Sequence, residues 1–297
     1  MIQQIKKFVK RNEFLRRIIL PIIDRSILFK MHIKFNLTFS FNLLNGKKIK
    51  FFPKGQIAFG IFTNKFELKE LEIFQSLLKE GMTIVDAGAN IGLYSLVASK
   101  IVGNSGKVIS YEPSFETFQI LKNNIEINNV SNVVLTNCGL GETEDEVLIL
   151  RQDMGTKDAE RYIMPSNHVP DENLINVKEI NSKEEIRIDT LDNNLKKNKI
   201  NKIDFLKIDT EGFEYYILLG AKEILLNSPE IIMLMECTAL GTSRANTTQK
   251  KVFELLGDLG FNFFYWNDVK NEWCDDKEGI YNAGDVWVCK SKMQLIA

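Results

Sequence analysis

Three short stretches of this chain hold side chains that could do chemistry together. Asp86-Ala-Gly88-Ala-Asn90-Ile-Gly92 sets a carboxylate just before a glycine-rich turn. Tyr111-Glu112-Pro113 places a second carboxylate 26 residues after the first. Lys207-Ile-Asp209-Thr-Glu211-Gly212-Phe-Glu214 gathers a lysine and three acids, and Glu236 ends the next apolar run. Glycines at 88 and 92 let a loop turn tightly and let backbone N–H groups approach a ligand. A carboxylate at 112 can accept two hydrogen bonds from the vicinal hydroxyls of a ribose. Histidine occurs only at 32 and 168. Imidazole triads and histidine-rich metal sites are therefore nearly excluded, and acid–base work falls to carboxylates.

Such residues need a scaffold that brings strand ends together. Residues 83–86, 107–111 and 132–136 read as short apolar strands alternating with helices over 91–101 and 115–128. That β-α-β-α-β order predicts an α/β fold, a doubly wound, mostly parallel sheet with right-handed crossovers. Further strands are expected at 147–150, 185–188, 204–209 and 231–235, with helices over 213–226 and 247–259. Residues 261–266 and 285–289 should form an antiparallel pair at the sheet edge. The polar, irregular stretch 151–183 is too long for an ordinary connection and reads as a cover over the active site. In open α/β sheets ligands bind outside the carboxyl ends of the strands. Asp86 to Gly92, Glu112-Pro113, Asn137-Cys138, Asp209 to Gly212 and Glu236 all fall there.

Upstream, 1–80 reads as an N-terminal extension to a domain spanning 81–297. Residues 1–34 carry nine basic and two acidic side chains, a charge of +7 that leaves -8 on the rest. Apolar residues recur at helical spacing, so this segment is expected to be a basic amphipathic helix. It packs on the domain, pairs with another chain, or lies on an anionic membrane surface through residues 1–30. Residues 32–42 alternate as a half-buried strand with His32 on the polar side. Asn45-Gly46 suggests a type I′ turn into a second strand over 47–52. A helix over 66–80 should end at Gly81 as its C′ residue.

The loop chemistry discriminates among nucleoside cofactors. A dinucleotide wants G-x-G-x-x-G and a helix N-terminus free for pyrophosphate. Here the loop is G-A-N-I-G behind Asp86, a carboxylate that repels pyrophosphate and suits a cationic amino-acid ligand. That favours S-adenosylmethionine over a nicotinamide cofactor. Taken together, Val85-Asp86-Ala-Gly-Ala-Asn-Ile-Gly92, Tyr111-Glu-Pro113, Lys207-Ile-Asp-Thr-Glu-Gly-Phe-Glu214 and Leu219-Gly-Ala221 resemble the FkbM family of S-adenosylmethionine-dependent methyltransferases over roughly residues 60–240. The resemblance implies a class I (Rossmann-like) methyltransferase fold of seven strands with the last antiparallel. It also implies O-methylation of hydroxyls on sugars, glycans or natural products. Carried over by position, Asp86, Gly88, Ala89, Asn90 and Gly92 line the methionine end and Glu112 with Pro113 meets the ribose. Asn137 and Cys138 flank the adenine.

Methyl transfer to a sugar hydroxyl is an in-line displacement on which positioning acts strongly. A weak nucleophile also gains from a general base. Lys207 and Asp209 share a parity and point to one face of their strand. Asp209 is the expected base or orienting group, Glu211 and Glu236 shape the site, and Lys207 tunes Asp209 or forms a structural ion pair with it. The same acids would suit magnesium or calcium. No Asp-Asp-Asn set accompanies them, so a divalent metal is the less favoured reading. The four cysteines, at 138, 237, 274 and 289, form no CxxC pair. They read as small buried residues. Tryptophans 266, 273 and 287 read as edge-strand core, with sugar stacking the sharper alternative.

Hydrophobic residues make up 44 % of the 297, and the net charge is -1. These are values of a globular protein, with no global reason to bind nucleic acid. The longest apolar run near the N-terminus, 18–23, is far short of a membrane span. A cytoplasmic enzyme, at most peripheral to a membrane, is expected, with a small-molecule or glycan acceptor and an undetermined oligomeric state. The competing class is a non-catalytic protein that keeps the fold and attaches to a membrane or partner through its basic N-terminus.

Overall fold

The computed structural model describes residues 25–144, 146–152, 161–164, 180–276 and 285–296. Helix α1 spans Arg25–Lys34 and is followed by a hairpin, β1 Phe39–Asn42 and β2 Lys48–Phe51, and by α2 Gly55–Thr63 and α3 Leu68–Leu77. Then come β3 Thr83–Ala87, α4 Leu93–Val102, β4 Lys107–Tyr111, α5 Phe115–Ile127 and β5 Val133–Thr136. Strands β6 Gly139–Leu140, β7 Glu146–Gln152, β8 Arg161–Met164 and β9 Ile180–Asp189 lead to α6 Leu191–Lys197. The chain continues with β10 Phe205–Ile208, α7 Glu214–Leu219, α8 Lys222–Asn227, β11 Ile232–Glu236, α9 Ala239–Arg244 and α10 Gln249–Asp258. It closes with β12 Asn262–Asn267, β13 Glu272–Asp275, β14 Asp285–Cys289 and a 3-10 turn over Lys292–Leu295.

The main sheet has the order β13-β12-β14-β11-β10-β3-β4-β5. Pairs β5-β4, β4-β3, β3-β10 and β10-β11 are parallel, whereas β14 runs antiparallel to both β11 and β12. The seven-stranded arrangement with an antiparallel last strand is therefore present, and β13 adds an eighth strand at its edge. Alternation along the strands splits the core into two layers. Val85, Ile109, Leu206, Ile208, Met233 and Val288 face one cluster with α6, α7, α8 and α10. Ile84, Val108, Phe205, Leu234 and Trp287 face the other, with α1 to α5 and the hairpin. Each fully buried side chain of this kind contributes about 1.5–3 kcal/mol.

Several expectations are corrected. Residues 32–38 are not strand: α1 ends in a Schellman motif, with Leu37 N donating to His32 O, Asn36 N to Ile33 O, and Asn36 in the left-handed region (φ 47°). His32 is accordingly buried, not on the surface, with its ring edge-on to Phe62 and Nδ1 donating to Leu37 O at 3.0 Å. The hairpin turn is not type I′, because Gly46 (φ 78°) has positive φ and Asn45 does not. Leu43 O accepts from Gly46 N while Leu43 N donates to Lys47 O, a three-residue loop closed by a left-handed glycine. Gly81 does not cap α3, which ends at Leu77. Its N–H donates to Val102 O at the entry to β3.

The helix expected over 213–226 is two helices broken at Gly220-Ala221. A Cβ on Gly220 would lie 2.0 Å from Gly141 O, so the backbones meet there as only glycine permits. The stretch 151–183 is not wholly irregular, since it supplies the end of β7, all of β8 and the start of β9 in a second sheet ordered β6-β9-β7-β8. Residues 1–24, most of the expected basic helix, and the remainder of 151–183 lie outside the described residues. Among the described residues no helix is long and apolar enough to cross a membrane. Trp273 and Trp287 are buried and stack edge-on, as core. No cysteine is in a disulfide.

Candidate active site

The carboxyl ends of β3, β4, β10 and β11 come together through their registers. Asp86 lies directly across from Lys207 in the parallel β3-β10 pair, and Glu236 faces Asp285 in the antiparallel β11-β14 pair. Asp86, Lys207, Asp209, Glu236 and Asp285 have the parity of Ile84, Phe205, Ile232 and Trp287, so they share the sheet face that packs on α3 and α4. Gly88, at φ 82°, lets the turn after β3 press on the end of β10: a Cβ there would lie 1.9 Å from Asp209 O. Asp209 N donates to Ala87 O at 3.0 Å and fixes that approach.

Lys207 is the centre of charge. Its ammonium donates to Asp209 Oδ2 at 2.8 Å and lies 4.5 Å from the centroid of the Tyr94 ring. Burial acts to lower its pKa, yet Asp209, Asp86 and Glu67 outweigh that and raise it, so the lysine is a fixed cation and no proton acceptor. Burial would raise the Asp209 carboxyl, but the Lys207 charge and hydrogen bonds from Lys207 and Glu236 hold it below the usual carboxylate range. Glu236 is pushed up to about 9 by burial and then by Asp209, Glu211 and Asp285. The two carboxyls therefore titrate together and share a proton, with Glu236 raised and Asp209 lowered. Asp285 is raised to about 7 by burial and by Glu67.

Glu211 sits at φ 57° and Gly212 at φ 115° in the turn after β10. Glu214 holds that turn from beneath. Its Oε1 accepts from Thr210 N, Thr210 Oγ1 and Gly212 N at 3.2, 3.0 and 3.0 Å. Glu214 is fully buried, and burial raises its pKa to about 7. Asp209, Glu211 and Glu236 converge so that one oxygen from each lies within 4.8 Å of the others, a spacing that one hard cation could span.

Four N–H groups of the loop after β3 bond within the protein. Gly88 N and Ala89 N donate to Tyr111 O, Asn90 N to Glu112 Oε2 at 2.9 Å, and Gly92 N to Ala89 O. Those four N–H groups are thus taken up within the protein and do not form a cradle for a pyrophosphate. The donor set is anionic instead. Asp86 is buried, with Oδ2 accepting from Ser95 Oγ and Oδ1 without a hydrogen-bond partner among the described residues. Burial raises its pKa, partly offset by Lys207 and Ser95. Glu112 also accepts from Ser114 N at 3.0 Å, which locks the carboxylate at the strand end. These residues fit a cationic, ribose-bearing group such as S-adenosylmethionine and do not fit a polyphosphate.

Asn137 is exposed beside this site, and its Nδ2 clamps the turn by donating to Glu112 O and Pro113 O. Cys138 is a correction. Its side chain packs in the core with Leu140, Ile186 and Ile188, and burial pushes its thiol up to about 12, so the thiol does not flank a cleft. Glu67, Tyr94 and Asp285 belong to the charged cluster and lie outside every motif. Asp285 starts a strand that the sequence did suggest, but its place beside Glu236 follows from the β11-β14 register.

A family model described as "Methyltransferase FkbM domain" matches residues 86–263, more than half of the chain. The chain is 28 % identical over 143 residues to Methyltransferase 1 of Beauveria bassiana (strain ARSEF 2860), covering 46 % of this chain and 57 % of that protein. It is 24 % identical over 217 residues to Methyltransferase sdnD of Sordaria araneosa, covering 67 % and 80 %. Among solved structures, Methyltransferase FkbM from Methylobacillus flagellatus KT aligns with a TM-score of 0.42 at 14 % identity, covering 78 % of this chain and 54 % of that one. The chain thus spans little more than half the length of the first of these relatives and of that structure. It belongs to the FkbM methyltransferase family.

Proposed function

We propose that this member of the FkbM methyltransferase family binds S-adenosylmethionine at the ends of β3 and β4 and methylates a hydroxyl of a sugar, glycan or natural-product acceptor. The observation that carries the reading is the Lys207-Asp209-Glu236 arrangement: a buried ammonium 2.8 Å from the Asp209 carboxylate, with a Glu236 oxygen within 4.8 Å of an Asp209 oxygen, at a strand end pressed against the Gly88 turn. S-adenosylmethionine supplies an electrophilic methyl group on a positively charged sulfur. Glu112 accepts from the ribose hydroxyls, and Asp86 with Asn90 attracts the cationic amino-acid end. Asp209 accepts the proton that the acceptor hydroxyl loses as it is methylated, at oxygen. Lys207 keeps Asp209 ionised and oriented, and Glu236 and Glu211 line the acceptor side. Near-neutral charge supports a small-molecule or glycan acceptor over nucleic acid.

The reading is tested by calorimetric titration of the full chain with S-adenosylmethionine and, separately, NADH. Saturable 1:1 binding of S-adenosylmethionine alone is expected, followed by transfer of labelled methyl to a member of a glycan and polyol panel. Binding of NADH, or of neither, would refute it.

A further inference from the structure

Glu67 lies before α3, in the segment upstream of the family match, and adopts φ 41°, ψ 43°. This left-handed conformation is unusual for a bulky charged residue and is found where surrounding structure imposes it. Its side chain makes no hydrogen bond that caps the helix. Its Oε2 instead accepts from the Tyr94 hydroxyl at 2.7 Å. The Tyr94 ring, 6 % exposed, packs edge-on against Phe74 of α3 at 5.0 Å and lies 4.5 Å from the Lys207 ammonium. Lys207, 5 % exposed, in turn donates to Asp209 at 2.8 Å. Direct contacts therefore run unbroken from the N-terminal segment to the carboxylate at the mouth of the site.

We propose that Glu67 is a positioning residue of the methyl-transfer site: through Tyr94 it fixes the Lys207 ammonium against Asp209. The segment before β3 is then part of the working site. The proposal rests on the methyltransferase reading above. Its physical basis is competition for one cation. A lysine carries its charge as a compact point on a flexible four-carbon stem, so its partners decide where it rests. Asp86, directly across from Lys207 on β3, attracts it as well as Asp209. A phenol ring under the ammonium biases it toward one partner, and a hydrogen bond from the phenol to a carboxylate both pins the ring and enriches its π face.

The test uses the full chain with three single variants and one double. Glu67→Asn keeps a residue at ease in the left-handed region but is too short to reach Tyr94. Glu67→Gln keeps an acceptor of the same length. Tyr94→Phe keeps the ring and removes the hydroxyl. The readouts are the Lys207 ε-methylene and ammonium signals in NMR of isotopically labelled protein, which the ring shifts upfield, and calorimetric S-adenosylmethionine affinity. Glu67→Asn and Tyr94→Phe should each lose the upfield shift, the double variant should lose no more, and Glu67→Gln should retain it. Cofactor affinity should stay within about twofold throughout, while methyl transfer to an acceptor from the panel falls at least tenfold in kcat at unchanged KM. An unmoved Lys207 signal in Glu67→Asn, or additive losses in the double variant, would overturn the proposal. Absence of S-adenosylmethionine binding in the unmutated chain would remove the methyltransferase reading itself, and the proposal with it.

Discussion

Gly88→Ala isolates how closely the cofactor loop and the catalytic strand must approach. Gly88 has φ 82°, and a Cβ there would sit 1.9 Å from Asp209 O and 2.9 Å from Asp209 C. The left-handed backbone alone costs a non-glycine residue about 1–2 kcal/mol. Reaching an ordinary contact of ~3.4 Å would force the β3 turn and the end of β10 apart by about 1.5 Å, and overpacking of that kind adds about 1–3 kcal/mol. Gly46 is the matched control: its φ is 78° and nothing lies within 4 Å of its added Cβ. Gly46→Ala should therefore cost only about 1–2 kcal/mol, and Gly88→Ala about 2–5 kcal/mol in total. A shift near 1 Å at Asp209 should also lower methyl transfer on the order of 100-fold. Urea unfolding gives the stabilities, and calorimetry with S-adenosylmethionine gives the affinity. Equal stability losses in the two variants, with cofactor affinity and turnover intact in Gly88→Ala, would show that the approach at Asp209 is not what Gly88 serves.

Glu112→Ala should fold and lose S-adenosylmethionine affinity by about 1.5–3 kcal/mol, the worth of hydrogen bonds to a charged acceptor; an unchanged calorimetric Kd would exclude the ribose contact. Glu214 has a folded pKa of about 7, above its unfolded value. Its stabilising contribution is full below about pH 4.3 and is lost as pH rises through 7, about 3 kcal/mol in all. Glu214→Gln keeps an oxygen for Thr210 and Gly212, so it should flatten the fall in stability between about pH 4.3 and 7, measured by unfolding across pH. Glu236 carries its proton up to about pH 9. Turnover should fall above that pH as the group ionises beside Asp209, and Glu236→Gln should remove this basic limb; an unaltered pH–rate profile would separate Glu236 from the chemistry. Asp209→Asn should cut turnover by a factor of 100 or more with cofactor affinity nearly unchanged, within the range of general-base contributions, and equal loss of both would count against a base.

Much of the architecture was legible because it is local. Alternating apolar strands and periodic helices made the run from β3 to β5 and the strands β10 and β11 legible, though not β6, β8 or α6, and parity placed Lys207 and Asp209 on one face. Helix α2 was missed because Gly-Gln-Ile-Ala-Phe-Gly-Ile-Phe-Thr is apolar on nearly every side and shows no clear period. His32 was misplaced because the same alternating residues can end a helix, and only the Asn36 cap decided between the two. By itself the sequence determined which chemical groups stand at the strand ends, since strand length and spacing put Asp86, Glu112, Asp209 and Glu236 there. Tertiary structure alone decided which of them meet, and added Glu67, Tyr94 and Asp285. It also turned the Cys138 thiol into the core and spent the Gly88, Ala89 and Asn90 N–H groups on Tyr111 and Glu112. The physical reason is that contacts between residues distant in the chain depend on strand register and on the packing of α3 and α4 over one sheet face, and neither is encoded in spacing along the chain.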